Sequence, residues 1–404
     1  MRRRDILKSL TVLPVAGTAS NALGTYTPSA LPAPKRDLFK ELGLRTFINA
    51  AGNYTSMTAS LMPPEVMEAI RSSAEEYVML EEVQDKAGEK IAALCKAEAA
   101  MVTAGCWSAL VLGMAGVLTG MDPKKVGQLP FLSGTGMKSE VIVQKSHANG
   151  YHQALTNTGV SIVLVETREE LEKAINDKTA LLWFLNREAP AGNIKHQEWL
   201  ELAKKHNLPT MIDIAADVPP VENLWKFNEM GFDLVCISGG KAMCGPQSAG
   251  ILMGKKDLIA AARLSAPPRS GIGRGHKVNK EEILGMYVAL DRYVKHDHKK
   301  DWETWEKRIA VIDSAVKGIT GVKTEVVIPP VANHNPSLNI MWDNTKVKIS
   351  RDAMGEKLRK GTPSIEVISW ETENSIRLTV FMLKPGQEKI VAQRIKEELI
   401  SASA

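Results

Sequence analysis

Ser238-Gly239-Gly240-Lys241 closes an apolar run, Asp233-Leu-Val-Cys-Ile237, and an acid, Asp213, closes an earlier run, Thr210-Met-Ile212. A strand ending in an acid, a helix, and then a strand ending in Ser-Gly-Gly-Lys suit one kind of chemistry. The lysine amine can form an imine with a cofactor aldehyde, and the acid can keep a pyridine nitrogen protonated so that the ring accepts electrons from a carbanion. That combination points to pyridoxal 5'-phosphate, with Lys241 and Asp213 as the catalytic pair. A lone lysine after two glycines is usually a surface lysine. Here the preceding strand and the following Met-Cys-Gly-Pro-Gln-Ser-Ala-Gly suggest backbone packed around a ligand.

Other residues can be arranged around this pair. Thr103-Ala-Gly-Cys-Trp-Ser108 leads from a strand into an apolar helix, and free amides at a helix start bind phosphate. Gly105, Cys106 and Trp107 are therefore candidates for the cofactor phosphate, with the hydroxyls of Ser108 and Ser238; a plain strand-helix turn is the competing reading. His147, just past Val143, could stack on a pyridine ring or be a surface histidine. Ala215 is small enough to lie flat against the ring. Asp217 is a weaker partner for the ring nitrogen than Asp213, being further from the strand end. Arg187 could bind a substrate carboxylate or pair with Glu188, and Arg377 is a second carboxylate candidate. Asn53, in the polar segment 52–60, is a substrate-binding candidate. Arg269, Arg274 and Lys277 form a basic loop that is either solvated or reaches a partner subunit; Arg274 is assigned to substrate and Lys277 to cofactor phosphate.

The elements that must position these groups alternate. Apolar segments at 99–103, 140–144, 161–165, 179–184, 209–212, 234–237 and 249–253 are separated by amphipathic stretches. Strands apolar on both faces, alternating with helices, predict an α/β domain with a mostly parallel seven-stranded sheet. Ligands in such sheets lie at the carboxyl ends of the strands, where Asp213 and Lys241 fall. A long helix is expected over 279–308, joining a large domain (38–278) to a smaller α+β domain (309–404).

The chain has 404 residues, 44% of them apolar and 24% charged, with a formal net charge of +5. Much of that excess lies in the first eight residues, which argues against a broad nucleic-acid-binding face. The four cysteines show no metal-ligand spacing and are too sparse for a disulfide framework. Arg3-Arg-Asp-Ile-Leu-Lys8, a mildly apolar stretch and a small-residue exit near Ala22 read as a twin-arginine export signal and linker over residues 1–30, so the expected location is periplasmic or otherwise exported. The apolar stretch is too short and too rich in Gly, Thr and Pro for stable membrane insertion.

Taken together, Phe47-Ile-Asn-Ala-Ala-Gly52, Met101-Val-Thr-Ala-Gly105, Val141-Ile-Val-Gln-Lys-Ser-His147, Ile212-Asp-Ile-Ala-Ala216, Ser238-Gly-Gly-Lys-Ala-Met-Cys-Gly-Pro-Gln247 and Gly271-Ile-Gly-Arg-Gly-His-Lys-Val-Asn-Lys-Glu281 resemble the selenocysteine synthase-like fold-type I pyridoxal phosphate enzymes. The D-glucosaminate-6-phosphate ammonia-lyase-like branch is the nearer match. The resemblance implies the fold-type I transferase fold, an imine at Lys241, phosphate contacts from residues 105–108 and Ser238, and a homodimer or higher homo-oligomer with sites at subunit boundaries. It implies a lyase that removes an α-proton and a β-substituent from a small amino acid or amino-sugar acid. A transferase, aminotransferase or racemase of the same fold is the alternative, as is a non-catalytic binding protein. Selenocysteine synthase carries an N-terminal tRNA-binding domain where this sequence has its export signal, so no nucleic-acid partner is expected.

Overall fold

The seven apolar segments all become strands, and the central ones are buried between helix layers on both faces, while the edge strand at 161–165 is partly exposed. Alternate residues of the central segment Thr179–Leu185 enter different cores: Leu182 and Phe184 join Trp199 and Ile212 on one side, and Leu181, Trp183 and Leu185 join Leu110 and Met211 on the other. The period of two splits one continuous apolar run between two helix layers.

The computed structural model describes residues 36–371 and 373–403. The expected export signal and linker lie outside them. Residues 36–46 belong to a first small unit holding α1 (Leu38–Glu41), where Asp37 Oδ1 accepts from the Lys40 amide at 3.1 Å. The second unit begins at Phe47. In it β1 (Ile48–Asn49), α2 (Pro64–Ser73) and α3 (Leu80–Leu94) lead to β2 (Ala99–Thr103) and the largely apolar α4 (Gly105–Thr119). Then come α5 (Pro123–Val126), β3 (Glu140–Gln144), α6 (Gln153–Thr156), β4 (Ser161–Val165), α7 (Arg168–Ala174) and β5 (Thr179–Leu185). These are followed by α8 (His196–Lys205), β6 (Thr210–Asp213), α9 (Asn223–Met230), β7 (Leu234–Ser238), β8 (Gly250–Gly254) and α10 (Lys256–Leu264). The large sheet has the order β2-β8-β7-β6-β5-β3-β4. Only β8 among these runs against its neighbours.

The single helix expected over 279–308 is two. α11 (Lys280–Lys295) ends at His296, and α12 (His298–Val316) restarts with Asp297 accepting from the Lys300 amide at 3.0 Å. An aspartate side chain competes with the helical backbone and favours a fresh N-cap. The C-terminal lobe contains β9 (Val322–Val327), β10 (Ser337–Trp342), α13 (Arg351–Lys360), β11 (Ile365–Glu366), β12 (Ser375–Thr379) and α14 (Gln387–Ala402). Its antiparallel sheet runs β12-β10-β9. β1 pairs in parallel with β11, Ile48 opposite Ile365, and Ile48 and Ala50 join the apolar core of this lobe with Leu338, Ile340 and Leu378. Ile48 and Ala50 fall within the span 38–278 expected for the large domain, yet they pack in this lobe's core. The residues around 48–50 are too few to show a strand period of their own, and they find their partner at the far end of the sequence. No helix among the described residues is long and apolar enough to cross a membrane.

α11 starts with a capping box: Asn279 Oδ1 accepts from the Glu282 amide at 2.9 Å, and Glu282 Oε2 accepts from the Asn279 amide at 3.1 Å. Asn279→Ala is expected to lower stability by about 1 kcal/mol, read as a fall in the urea midpoint with an unchanged slope.

Candidate active site

Asp213 ends β6, between Leu185 of β5 and Cys236 of β7. It is buried, and its Oδ1 accepts from the Ala215 amide at 2.9 Å and from the Cys106 thiol at 3.6 Å. Cys106 arrives from the start of α4. That helix start can approach because β8 offers Gly250 beside it: a Cβ there would lie 2.5 Å from the carbonyl carbon of Gly105. The turn of residues 105–108 thus lies over the carboxylate that closes β6. The Cys106 thiol is held well above its usual pKa, by burial first and by the charge of Asp213 second, so it stays a proton donor.

Lys241 is placed by a turn with little freedom. The carbonyl of Gly240 accepts from Ser60 Oγ at 2.7 Å, Gly245 N donates to the Gly239 carbonyl at 2.9 Å, and Cys244 N donates to the Lys241 carbonyl at 2.9 Å. Both glycines are steric requirements. A Cβ on Gly240 would stand 2.5 Å from the Cα of Gln247, and one on Gly239 would strike Met286 of α11. The site lysine is therefore pinned between the polar loop at residue 60 and the helix beneath the sheet.

Asp213 and Lys241 meet in one cavity of about 150 Å³. Asn53, Tyr54, Arg187, Ala215 and Asp217 line it too, with Thr55, Tyr151 and Asn333. The larger groove of about 830 Å³ beside Pro209, Thr210 and Asp233 opens at the starts of β6 and β7, away from these groups. Arg187 lines the cavity, and its Nε lies 3.5 Å from Glu188 Oε1, the alternative partner weighed for it. Arg377 is held by Glu371 at 2.5 Å and by Asn339 Oδ1 at 2.7 Å. Its charge is felt at Tyr54, whose hydroxyl is pushed above its usual pKa by burial and then by Glu371, against the pull of Arg377 and Arg187.

Several expected contacts lie elsewhere. His147 neither reaches the cavity nor sits on the surface. The short helical turn 145–147 folds it back under the sheet, where it is fully buried. There it packs edge-on against Phe184 with centroids 4.5 Å apart, and its Nδ1 accepts from the Leu185 amide at 3.2 Å. Arg274 and Lys277 are exposed and do not line the cavity. Gly105, Cys106, Trp107, Ser108 and Ser238 do not line the cavity, although Cys106 contacts Asp213; Trp107 is exposed, Ser108 is buried, and Ser238 is half-buried opposite Gly250. Tyr54, Thr55, Tyr151 and Asn333 went unread in the sequence because they sit in loops with no motif. Asp217, set below Asp213 in the sequence reading, faces the same space. Among the described residues, no group of three or more metal-ligating side chains is assembled to hold an ion, and all four cysteines are free thiols.

Pyridoxal phosphate can be tested against these residues. Burial pushes the Asp213 carboxyl above its usual pKa, while the Ala215 amide and the Lys241 charge pull it down. Its Oδ2 takes no hydrogen bond from a described residue and is not among the fully enclosed unpartnered atoms, so it is free toward the cavity. A buried carboxylate with one oxygen open to a cavity, facing a lysine across it, fits a protonated ring nitrogen. Ala215, beside them, leaves room for a flat ring. The residues fit the cofactor.

Comparison with known proteins agrees with this geometry. Residues 138–283 match the family "Aminotransferase class-V". The chain is 26% identical over 377 residues to a D-glucosaminate-6-phosphate ammonia lyase of Salmonella typhimurium, covering 89% of this chain and 97% of the relative. It is 24% identical to a 5'-C-glycyluridine monooxygenase-decarboxylase of a Streptomyces species, covering 90% and 92%. The solved structure of a D-glucosaminate-6-phosphate ammonia-lyase superposes with a TM-score of 0.78 at 25% identity, covering 91% of this chain and all of the other.

The misplaced histidine has a measurable signature. Burial, with a smaller push from His196, lowers His147 from 6.5 to about 4. A base whose folded pKa is depressed contributes stability that is present above its unfolded pKa and lost as pH falls toward the folded one. His147 should therefore cost about 2 kcal/mol of stability between pH 7 and pH 5. In His147→Gln that part of the pH slope disappears, even though the variant is less stable at pH 7; urea midpoints at the two pH values check this.

Proposed function

We infer that this chain, a fold-type I pyridoxal phosphate enzyme, is a carbon–nitrogen lyase that deaminates a small amino-sugar acid. One observation carries the reading: a lysine and a buried carboxylate converge on one cavity at the carboxyl ends of β6 and β7. The relative named as an ammonia lyase supports the reaction class, since it aligns along nearly its whole length.

When bound, pyridoxal phosphate supplies the electron sink that makes the substrate's α-proton acidic. The chain's own residues do the rest. Lys241 would anchor the cofactor, and its free amine would take the α-proton on its Nζ. Asp213 Oδ2 holds a positive charge at the ring end of the cavity, and Cys106 and the Ala215 amide keep its Oδ1 in place. The start of α4 presents amides for a phosphate group, its approach secured by Gly250. Arg187 lies on the rim where a substrate carboxylate enters, and Arg377 adds charge from the C-terminal lobe behind Tyr54. Asn53, Tyr151 and Asn333 offer polar contacts to sugar hydroxyls. Loss of the β-substituent and hydrolysis of the released enamine give a keto acid and ammonia.

Two further features belong to this proposal. The exposed Arg274 and Lys277 complete the site of a second copy, making the working form a homo-oligomer. The arginine pair at Arg3 and Arg4, with the apolar stretch behind it, directs the protein out of the cytoplasm by the twin-arginine route.

Lys241→Ala tests the assignment. The purified variant should lose the visible absorbance of lysine-bound pyridoxal phosphate and release no ammonia from any D- or L-amino-sugar acid that the wild type consumes. Unchanged absorbance and turnover would sink it.

A further inference from the structure

The steps above make no use of Asp217. It follows Asp213 on the turn that leaves β6, and it lines the same cavity while only 2% exposed. Its side chain is held: Oδ2 accepts from Asn186 Nδ2 at 2.8 Å, and Asn186 Oδ1 lies 2.6 Å from His196 Nε2. Its backbone carbonyl accepts from Asn223 Nδ2 at 2.6 Å. Oδ1 takes no hydrogen bond from a described residue and is not among the fully enclosed unpartnered atoms, so it is open to the cavity. The charged groups acting on this carboxyl are Asp213 at the end of β6, Lys241 beyond β7 and Arg187 beyond β5. Burial pushes the carboxyl up to about 7; the Asn186 hydrogen bond opposes that and the Asp213 charge adds to it.

Elimination of a β-hydroxyl needs such a group. Hydroxide is a poor leaving group, and Lys241 is occupied with the α-proton. Resting on the lyase reading, we propose that Asp217 is the general acid of the elimination, giving its Oδ1 proton to the departing β-oxygen. The Cα–H bond breaks and its proton goes to Lys241 Nζ. The Cβ–O bond breaks with its electron pair on oxygen, the O–H bond forms, and water leaves. Asp217 is left as a carboxylate, and the proton held by Lys241 restores it through water in the cavity. Nothing is oxidised or reduced. Two neighbouring carboxyls divide the work: Asp213 is held by the Ala215 amide and the Cys106 thiol, and Asp217, held through Oδ2 by Asn186, keeps Oδ1 open to the cavity to carry the transferable proton.

The test compares leaving groups. Wild type and Asp217→Asn are assayed with a β-hydroxy amino-sugar acid and with its β-chloro counterpart, since chloride leaves without a proton. Turnover of the hydroxy substrate should fall by about 100-fold or more, while the chloro substrate loses far less. Equal losses on both substrates overturn the proposal. If the wild type consumes neither, the lyase reading itself fails and takes the proposal with it. A second readout uses the cofactor-free protein. The infrared difference between wild type and Asp217→Asn should show a protonated carboxylic acid that disappears as pH rises through about 7. In Asn186→Leu the same titration should move to higher pH, because a donor favouring the ionised form is gone. An ionised carboxylate already present at low pH, or a midpoint unmoved by Asn186→Leu, overturns the assignment.

Discussion

A carboxyl group buried at the end of a central strand is the constraint around which the rest is arranged. Removing a carboxylate from water costs several kcal/mol unless donors and an opposite charge replace the lost solvent. Asp213 receives one backbone amide from its own turn and one thiol from α4, and has a lysine across the cavity. Each comes from a different stretch of sequence: the β6 turn, the start of α4 and the turn after β7. The order of the sheet makes them neighbours. β8 lies between β2 and β7, so the helix that follows β2 can lean over β6 only if β8 is narrow where it passes, and Gly250 provides that narrowness.

The turn carrying Lys241 is a second consequence of close packing. Its two glycines are used for want of space rather than for unusual backbone angles: Gln247 backbone lies against one and Met286 against the other. The same tightness ties the site to α11, so a helix with no residue in the cavity still sets the height of the lysine. The C-terminal lobe contributes in a similar indirect way, through Arg377 and Glu371 around Tyr54 and through Asn333, whose amide donates to the Ala216 carbonyl at 2.7 Å.

The parts of this legible in the sequence were those with a strong local pattern. Runs such as Thr179–Leu185 are almost wholly apolar and buried along their length, and short apolar runs alternating with amphipathic stretches mark the strands of a covered sheet, so all seven strands could be read. Asp213 and Lys241 stood out because each closes one of these runs. The break between α11 and α12 was hidden because His296 and Asp297 look like ordinary polar positions on a helix face. His147, read as either a ring-stacking or a surface histidine, is buried against Phe184, a setting that no neighbouring residue type announces. Tyr54, Tyr151 and Asn333 come from loops, where position follows from the folded scaffold and not from neighbours in sequence. Asp217 was seen but ranked by distance along the chain, whereas the turn returns it to the cavity.

The pairing of Ile48 with Ile365 has a bearing on how the protein is made. A ribosome releases the first of these partners early and the second only when most of the polypeptide has emerged. Asn53, Tyr54 and Thr55 follow the early partner directly and form part of the cavity wall. That wall is therefore set only after the last strands appear, so an unfinished nascent chain carries its reactive lysine and acid without the enclosure that would let them work together.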